Sequence, residues 1–170
     1  MREIVIYPDP VLRKKAREVK SIDDRVARLA AEMAETMYAA PGIGLAAPQV
    51  GVSERVILVD VTGPERKELI TLVNPVIVEK EGTVIFEEGC LSLPEVREKV
   101  ERAARVLVRG YDLDEREREI EAEGLLAIAL QHEIDHLNGV LFIDYLSRLK
   151  RDMIERKLRK WKREILKERL

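Results

Sequence analysis

The spacing of apolar residues along the chain predicts three helices, separated by stretches with a different pattern. After the acidic pair Asp23–Asp24, apolar residues recur every three or four positions, which is typical of an amphipathic helix. Pro41–Gly42 ends that helix, because neither residue continues a helix readily. A second and strongly apolar helical pattern begins at Gly124 and ends at Asn138–Gly139, and a third begins near Ser147.

Runs rich in β-branched residues predict strands in the intervening stretches. The predicted strands are Arg55–Val61, Leu69–Val73, Pro75–Val78, Thr83–Phe86 after a turn at Gly82, and Val100–Asp112. A chain of 170 residues is long enough for one domain with a real core. We therefore predict an α+β fold in which short antiparallel strands surround the central helix, with helices at the N-terminal and C-terminal ends.

The central helix carries the only two histidines of the chain, His132 and His136, with Glu133 between them. Residues four apart project from one face of a helix, so the two imidazoles can hold one divalent metal. Such a metal lowers the pKa of a bound water from 15.7 to about 7, and the intervening glutamate can take the proton of that water. The alternative is a pair of polar residues on an ordinary helix face. The surrounding apolar residues disfavour it, because burying these groups without a function is costly.

The third metal ligand decides which class of hydrolase the pattern belongs to. One metalloprotease class has a third histidine six residues after the second, but Phe142 occupies that position here. A glutamate from the final helix, Glu155 or Glu164, lacks the Asn-Glu-x-x-x-Glu setting of thermolysin-like peptidases. The only cysteine, Cys90, lies in a glycine-flanked segment. A free cysteine is usually a small buried apolar residue, but beside an incomplete histidine site we predict that Cys90 is the third ligand.

Three segments of the chain together resemble the signature motifs of the peptide deformylase family. They are Gly42–Val50, Glu88–Pro94 and Gln131–Gly139, which read GIGLAAPQV, EGCLSLP and QHEIDHLNG. Their order and spacing are those of the family, and the flanking regions resemble its bacterial type with a C-terminal helix. The resemblance implies removal of the N-formyl group from the formylmethionine of nascent polypeptides. Metal-bound water would attack the formyl carbon, with Glu133 as the general acid/base.

The resemblance also implies roles for individual residues. Cys90, His132 and His136 would hold the metal, while the Gln49 amide and the Leu91 backbone N–H would bind the developing oxyanion. The implied substrate-binding residues are Ile43, Gly44, Phe86, Glu88, Gly89, Arg97, Leu125 and Ile128. Among these, Ile43, Phe86, Leu125 and Ile128 would line the methionine pocket, with Arg97 and Glu88 at its mouth.

Ligand type alone does not determine the metal. Two imidazoles and a thiolate suit zinc, ferrous iron, cobalt and nickel. The resemblance implies one divalent metal per chain, with Fe²⁺ as the native ion and Zn²⁺, Ni²⁺ or Co²⁺ possible in purified protein.

The charge of the chain is unevenly distributed. Residues 147–170 contain eleven lysines or arginines and four acidic residues, a net charge of +7, so the rest carries −9 of the total of −2. This arm favours contact with an anionic surface such as RNA, and the resemblance implies docking beside the ribosomal exit tunnel. The alternative is a solvated helix stabilised by its own ion pairs. We divide the domain into a catalytic part, residues 1–146, and a basic C-terminal helix, residues 147–170.

Other features bear on location and on competing functions. A single cysteine suits a reducing compartment, and the chain has neither a signal-peptide pattern nor an apolar run of membrane-spanning length. We therefore expect a cytoplasmic protein without membrane or DNA partners. The competing hypotheses are a metallopeptidase acting on unformylated peptides and a ribosome- or RNA-binding protein with a structural metal.

Overall fold

The computed structural model describes residues 1–65 and 67–168 and has the predicted α+β architecture. The helices are α1, Asp24–Ala39; α2, Gly124–Leu137; and α3, Arg148–Glu168. The strands are β1, Gly44–Ala46; β2, Val56–Val59; β3, Ile70–Glu81; β4, Val84–Cys90; β5, Leu93–Arg102; β6, Arg105–Tyr111; and β7, Glu117–Glu123. Short 3-10 turns cover Pro10–Arg13, Ala47–Val50 and Phe142–Tyr145. The last two residues of the predicted C-terminal helix, 169 and 170, lie outside the described residues.

Two antiparallel sheets organise the strands. The larger sheet has the order β1-β2-β3-β6-β7, and the smaller consists of β4 and β5. All five pairings between these strands are antiparallel, which confirms the predicted strand direction. In the smaller sheet, the pairing is irregular between Gly89 and Cys90, where the chain leaves β4 and turns towards β5.

Two predicted strand boundaries were wrong. The strands predicted on either side of Asn74 form one strand, β3, with an irregularity between Val73 and Val76. Asn74 adopts φ 52° there, and its side-chain amide bonds to the backbone N–H and C=O of Val19 at 2.9 and 2.8 Å. The break in the pattern is therefore a bulge that an asparagine side chain satisfies, since asparagine tolerates this conformation.

The long strand predicted at Val100–Asp112 is in fact two strands in different sheets, β5 and β6. Between them, the side chain of Gln131 accepts a hydrogen bond from Ala103 N and donates one to Ala103 O, at 3.0 and 2.9 Å. These bonds replace the strand pairing at Ala103. The chain therefore passes from one sheet to the other at a position that the hydrophobic pattern does not mark.

Helix α1 begins and ends where its sequence predicts. The Asp23 carboxylate accepts hydrogen bonds from the backbone N–H groups of Arg25 and Val26, so it caps the first turn. The buried face of the helix packs against β1 and β2. This packing fixes the chain that continues from α1 into the first motif.

Helix α2 lies against the five-stranded sheet and is buried over most of its length. Its apolar side chains pack on residues of β2, β3 and β6, including Ile57, Leu72 and Val108. The buried polar residues of α2 are Gln131, His132, Glu133 and His136. A helix embedded in this way holds its polar side chains rigidly against the β4–β5 hairpin.

Helix α3 contrasts with α2 because Leu158 is its one fully buried residue among those described. Leu158 and the partly buried Ile154 pack on a cluster that includes Val96 of β5 and Phe142. The basic side chains of α3 are therefore mostly exposed. None of the helices in the described part of the chain has the length and apolar character needed to cross a membrane.

Candidate metal centre

Three side chains converge at the end of β4 and on α2. The Sγ atom of Cys90 lies 3.3 Å from His136 Nε2, and that nitrogen lies 3.2 Å from His132 Nε2. All three potential ligand atoms lie within 4.8 Å of one another. Tetrahedral metal–ligand bonds of about 2.0–2.3 Å place neighbouring ligand atoms about 3.3–3.6 Å apart. The trio predicted from the sequence is thus spaced to hold one metal ion.

The electrostatics of the trio also fit a cation. Burial lowers the pKa of His132, but the charges of Glu133, Glu88 and Cys90 outweigh burial and raise that pKa well above 6.5. Burial and the charge on His132 lower the pKa of His136 well below 6.5. The environment therefore favours one positive charge between the rings, which a bound divalent ion supplies.

Behind His132 lies a buried ion-pair network. His132 Nδ1 is 2.8 Å from Glu88 Oε1, and Arg102 donates two hydrogen bonds to the Glu88 carboxylate at 2.6 and 2.8 Å. A third bond from Arg102 reaches Asp135 at 2.6 Å. Burial alone raises the pKa of Glu88, but the hydrogen bonds from Arg102 and His132 overcome it and lower that pKa to about 2. Glu88 is therefore a fixed anion that orients the His132 ring.

Glu133 lies on the other side of His132 in a different environment. Its carboxylate is buried, and Oε1 is one of two buried side-chain polar atoms, with His136 Nδ1, that lack a hydrogen-bond partner among the described residues. Burial raises the pKa of Glu133 to about 7. Gly44 makes room for this carboxylate, because a methyl group at Gly44 would overlap Glu133 Oε2. The carboxylate is thus held in place while one oxygen stays available.

The side-chain amide of Gln49 has a defined orientation next to the trio. Its Oε1 accepts a hydrogen bond from Ala46 N at 3.0 Å. Its Nε2 donates to Ser92 Oγ at 3.2 Å and lies 3.5 Å from Cys90 Sγ. The nitrogen end of the amide therefore faces the candidate metal centre. Gln49 sits in the 3-10 turn Ala47–Val50, which Gly51 closes with φ 84°.

A cavity of about 490 Å³ opens onto this centre. The cavity wall is formed by the residues predicted to bind metal or substrate or to take part in catalysis, except for His136, which is buried and does not line it. They are Ile43, Gly44, Gln49, Phe86, Glu88, Gly89, Cys90, Leu91, Arg97, Leu125, Ile128, His132 and Glu133. The structure also adds apolar wall residues that the sequence did not single out: Pro41, Leu93, Val96 and Ala129.

The side chains that line the cavity differ in how much they are exposed to solvent. Ile43, Phe86 and Leu125 are 42%, 37% and 37% exposed, whereas Ile128 is buried. Arg97 lies at the exposed edge, where its guanidinium bonds to the Glu87 carbonyl at 3.3 Å. Glu88 lines the same cavity, but its carboxylate is directed to His132 and Arg102. The apolar rim is thus open to solvent, while the Glu88 carboxylate behind it is paired.

Sequence reasoning missed the residues that support the centre. Arg102 has no distinguishing signal, whereas Ser92 and Asp135 lie within the second and third motifs, and that position is the signal that could have found them. Arg102 is fourteen positions from Glu88, and their pairing depends on the geometry of the β4–β5 hairpin. Only the spatial structure brings these residues to the metal ligands.

Comparison with known proteins agrees with this geometry. The family model described as polypeptide deformylase matches residues 1–152 of the chain. The chain belongs to the peptide deformylase family. The enzyme class predicted from the three motifs, a metal-dependent hydrolase, is confirmed, and the activity of the family is removal of N-formyl groups from nascent peptides.

Individual deformylases are similar along nearly the whole chain. The peptide deformylase of Syntrophobacter fumaroxidans is 53% identical over 164 residues, covering 96% of this chain and 95% of that protein. The crystal structure of the Legionella pneumophila deformylase has a TM-score of 0.92 at 50% identity and covers 98% of both chains. The Synechococcus elongatus deformylase, solved in complex with actinonin, has a TM-score of 0.87 at 42% identity, over 92% of this chain and 86% of that one.

Proposed function

We propose that this chain removes the N-formyl group from the N-terminal formylmethionine of nascent polypeptides, with Glu133 as the general acid/base. One observation carries the proposal. Glu133 is a buried carboxylate, one oxygen of which has no hydrogen-bond partner in the described part of the chain, and it lies next to three converging side chains that could hold a metal. A buried unpaired carboxylate is costly, so its presence at a ligand cluster favours a catalytic role.

Cys90, His132 and His136 would hold one divalent metal in each chain. The spacing and the charge of the trio support this assignment, and the family resemblance supports Fe²⁺ as the native ion. Zn²⁺, Ni²⁺ and Co²⁺ suit the same thiolate and imidazole donors. When bound, the metal supplies a Lewis acid that lowers the pKa of water from 15.7 to about 7.

Glu133 transfers the proton in the proposed reaction. Its Oε1 accepts a proton from the attacking water and returns it to the departing amine of methionine, which releases formate and the free N-terminus. A general base works best when its pKa is near the operating pH, and the pKa of about 7 for Glu133 meets that condition. Gly44 keeps the carboxylate in its place, because only glycine leaves space for it.

Gln49 and Leu91 stabilise the oxygen of the formyl group as it gains negative charge. The Gln49 amide presents its nitrogen to the centre, and the Leu91 backbone N–H directly follows the ligand Cys90. Fixed donors of this kind stabilise a transition state without reorganisation, and removing one costs about 10²–10³ in kcat in other enzymes.

The cavity beside the centre would bind the methionine side chain. The apolar surface comes from Ile43, Phe86, Leu125 and Ile128, and three of them are exposed in a cavity that is large enough to admit a methionine side chain. Gly44 and Gly89 would lie beside the substrate backbone, and Arg97 and Glu88 near the mouth. The paired carboxylate of Glu88 also supports a second role, orienting His132.

The basic C-terminal helix would dock the enzyme on ribosomal RNA in the cytoplasm. Residues 147–170 form the docking segment in this proposal, and residues 1–146 form the catalytic part. Exposed cationic side chains on α3, including Arg156, Arg159, Lys160 and Arg163, support it. An exposed basic face attracts phosphates over a range that salt limits.

The test of the reaction compares formylated and unformylated substrates. Wild-type protein loaded anaerobically with Fe²⁺ or Ni²⁺ should release formate from a formyl-Met peptide and leave the unformylated peptide intact. Glu133→Ala with an equal metal content should lose turnover by about 10²–10⁴-fold. Near wild-type formate release by that variant would reject Glu133 as the base, and cleavage of the unformylated peptide would instead favour a peptidase.

The ribosome contact has its own test. Replacing Arg156, Arg159, Lys160 and Arg163 by Gln should weaken sedimentation with ribosomes and reduce its salt dependence. Turnover of a short formyl-Met peptide should stay unchanged, because these residues lie outside the cavity. A control variant in which Arg116 and Arg118 are neutralised should bind as wild type. Binding that ignores salt, or that survives neutralisation of α3, would reject the docking role.

A further inference from the structure

Both ends of the Gln49 side-chain amide have hydrogen-bond partners, and one of these partners, Ser92, has no role in the proposed function. Its oxygen is occupied by Ala46 N, so the amide group cannot turn around without losing that bond. Its nitrogen has two N–H groups. The nitrogen donates to Ser92 Oγ at 3.2 Å and to Cys90 Sγ at 3.5 Å, the second of these on the side of the candidate metal centre.

Ser92 is well placed to act as a fixed acceptor. Its exposed fraction is 0%, and it lies in the turn between β4 and β5, two residues after Cys90. Gln49 is also buried, so water does not compete for its amide. A hydrogen bond between two buried neutral groups is directional, and deleting one partner leaves the other unsatisfied.

The backbones of both residues are held by the same N-terminal segment. Val5 N donates to Gln49 O at 2.7 Å, and Tyr7 N donates to Ser92 O at 2.9 Å. These bonds set the distance between the Gln49 turn and the β4–β5 turn independently of the two side chains. Removing the Ser92 hydroxyl should therefore take away one of the contacts that orient the Gln49 amide, without moving the backbone of Leu91.

We propose that Ser92 is a positioning residue for deformylation, whose hydroxyl accepts one N–H of Gln49 and so directs the other N–H to the formyl oxygen. The inference rests on the oxyanion role of Gln49 in the proposed function. Donors stabilise an oxyanion best when they lie at about 2.7–3.1 Å from it, so an amide whose nitrogen end is less firmly held loses part of its effect. Ser92 touches neither substrate nor metal in this account and acts through Gln49.

A double-mutant cycle tests this coupling on metal-loaded protein with a formyl-Met peptide. Ser92→Ala should lower kcat about five- to tenfold, the value of one hydrogen bond, with KM within about twofold. In a Gln49→Ala background, the same substitution should change kcat by less than about twofold, because the group it positions is gone. Metal content should stay unchanged in each variant, and Ser53→Ala, outside the cavity, should behave as wild type.

A spectroscopic readout covers the case in which Ser92→Ala folds poorly. The chain has two glutamines, Gln49 and Gln131, so the side-chain amide signals of Gln49 are identified by their loss in Gln49→Ala. In zinc-loaded wild-type protein, one Gln49 amide proton should be shifted and protected from exchange with solvent. Two amide protons with the chemical shifts of a solvent-exposed glutamine, both exchanging rapidly with water, would overturn the proposal.

The outcomes separate this inference from the proposed function. If Gln49→Ala lowers kcat about 10²–10³-fold but Ser92→Ala has no effect, or has the same effect in both backgrounds, Ser92 does not position Gln49 and the proposed function stands. If Gln49→Ala itself retains wild-type kcat, the oxyanion role fails and the inference fails with it.

Discussion

Two buried glutamates, Glu88 and Glu133, lie on the two sides of His132, and their pKa values are shifted in opposite directions. On one side, Glu88 is bonded to Arg102 and to the histidine ring, and its pKa is lowered to about 2. On the other side, Glu133 has an oxygen that finds no hydrogen-bond partner within residues 1–65 and 67–168, and burial raises its pKa to about 7. Both carboxylates are buried, so the difference between their pKa values comes from their hydrogen-bond partners. One carboxylate is built to stay ionised, and the other to exchange a proton.

This difference assigns separate tasks to the two sides. In the proposed function, the Glu88 side supports the metal by orienting a ligand, and its buried charges compensate one another. The Glu133 side would keep an uncompensated group next to the ligands, which lowers stability and would serve the chemistry. The following predictions address the comparison in order of the expected change in the free energy of unfolding.

Replacing Arg102 by Met should have the largest effect. Arg102 is buried between Glu88 and Asp135, so its loss leaves two carboxylates without their cation. The free energy of unfolding should fall by about 3–5 kcal/mol, measured by urea denaturation of the metal-free protein. The exposed Arg109, which pairs with Glu117 and Glu119, provides the control. Arg109→Met should cost at most about 1 kcal/mol, and equal losses in the two variants would remove the distinction between buried and exposed pairs.

The Arg102 network also shows where prediction from sequence stops. His132 and His136 are predictable because four residues are one helical turn, which is a local relation. Cys90 follows because the chain has few other ligands to offer. Arg102 pairs with Glu88 only after β4 and β5 form, and Ser92 meets Gln49 only after two turns are brought together. Such relations depend on tertiary packing, and the same is true of the Gln131 bonds that separate β5 from β6.

Replacing Glu133 by Gln should change stability in the opposite direction. The substitution keeps the shape of the side chain and removes a buried charge that lacks a full set of partners. Metal-free protein at pH 8 should become more stable by about 1–3 kcal/mol. The matched variant Glu88→Gln should become less stable, because Arg102 then loses its main partner. Destabilisation by both substitutions would show that the two carboxylates are equally well compensated in the folded protein.

Removing the Tyr145 hydroxyl should have the smallest effect. Tyr145 donates to Asp135 at 2.8 Å at the outer edge of the network, and its ring lies 5.0 Å from the Arg102 guanidinium. Tyr145→Phe keeps the ring and should lower the free energy of unfolding by about 0.5–1 kcal/mol. A loss as large as that of Arg102→Met would mean that the network depends on its solvent-facing end.

The most direct test of the central claim is a paired measurement of metal affinity and turnover in Glu88→Gln and Glu133→Gln. We predict that Glu88→Gln weakens metal binding by about 10–100-fold. Its kcat, measured at saturating metal, should fall far less than that of Glu133→Gln. In Glu133→Gln the metal should stay bound while kcat falls by about 10²–10⁴-fold. Loss of metal from Glu133→Gln, or unchanged metal affinity in Glu88→Gln, would contradict the division of tasks between the two sides of His132.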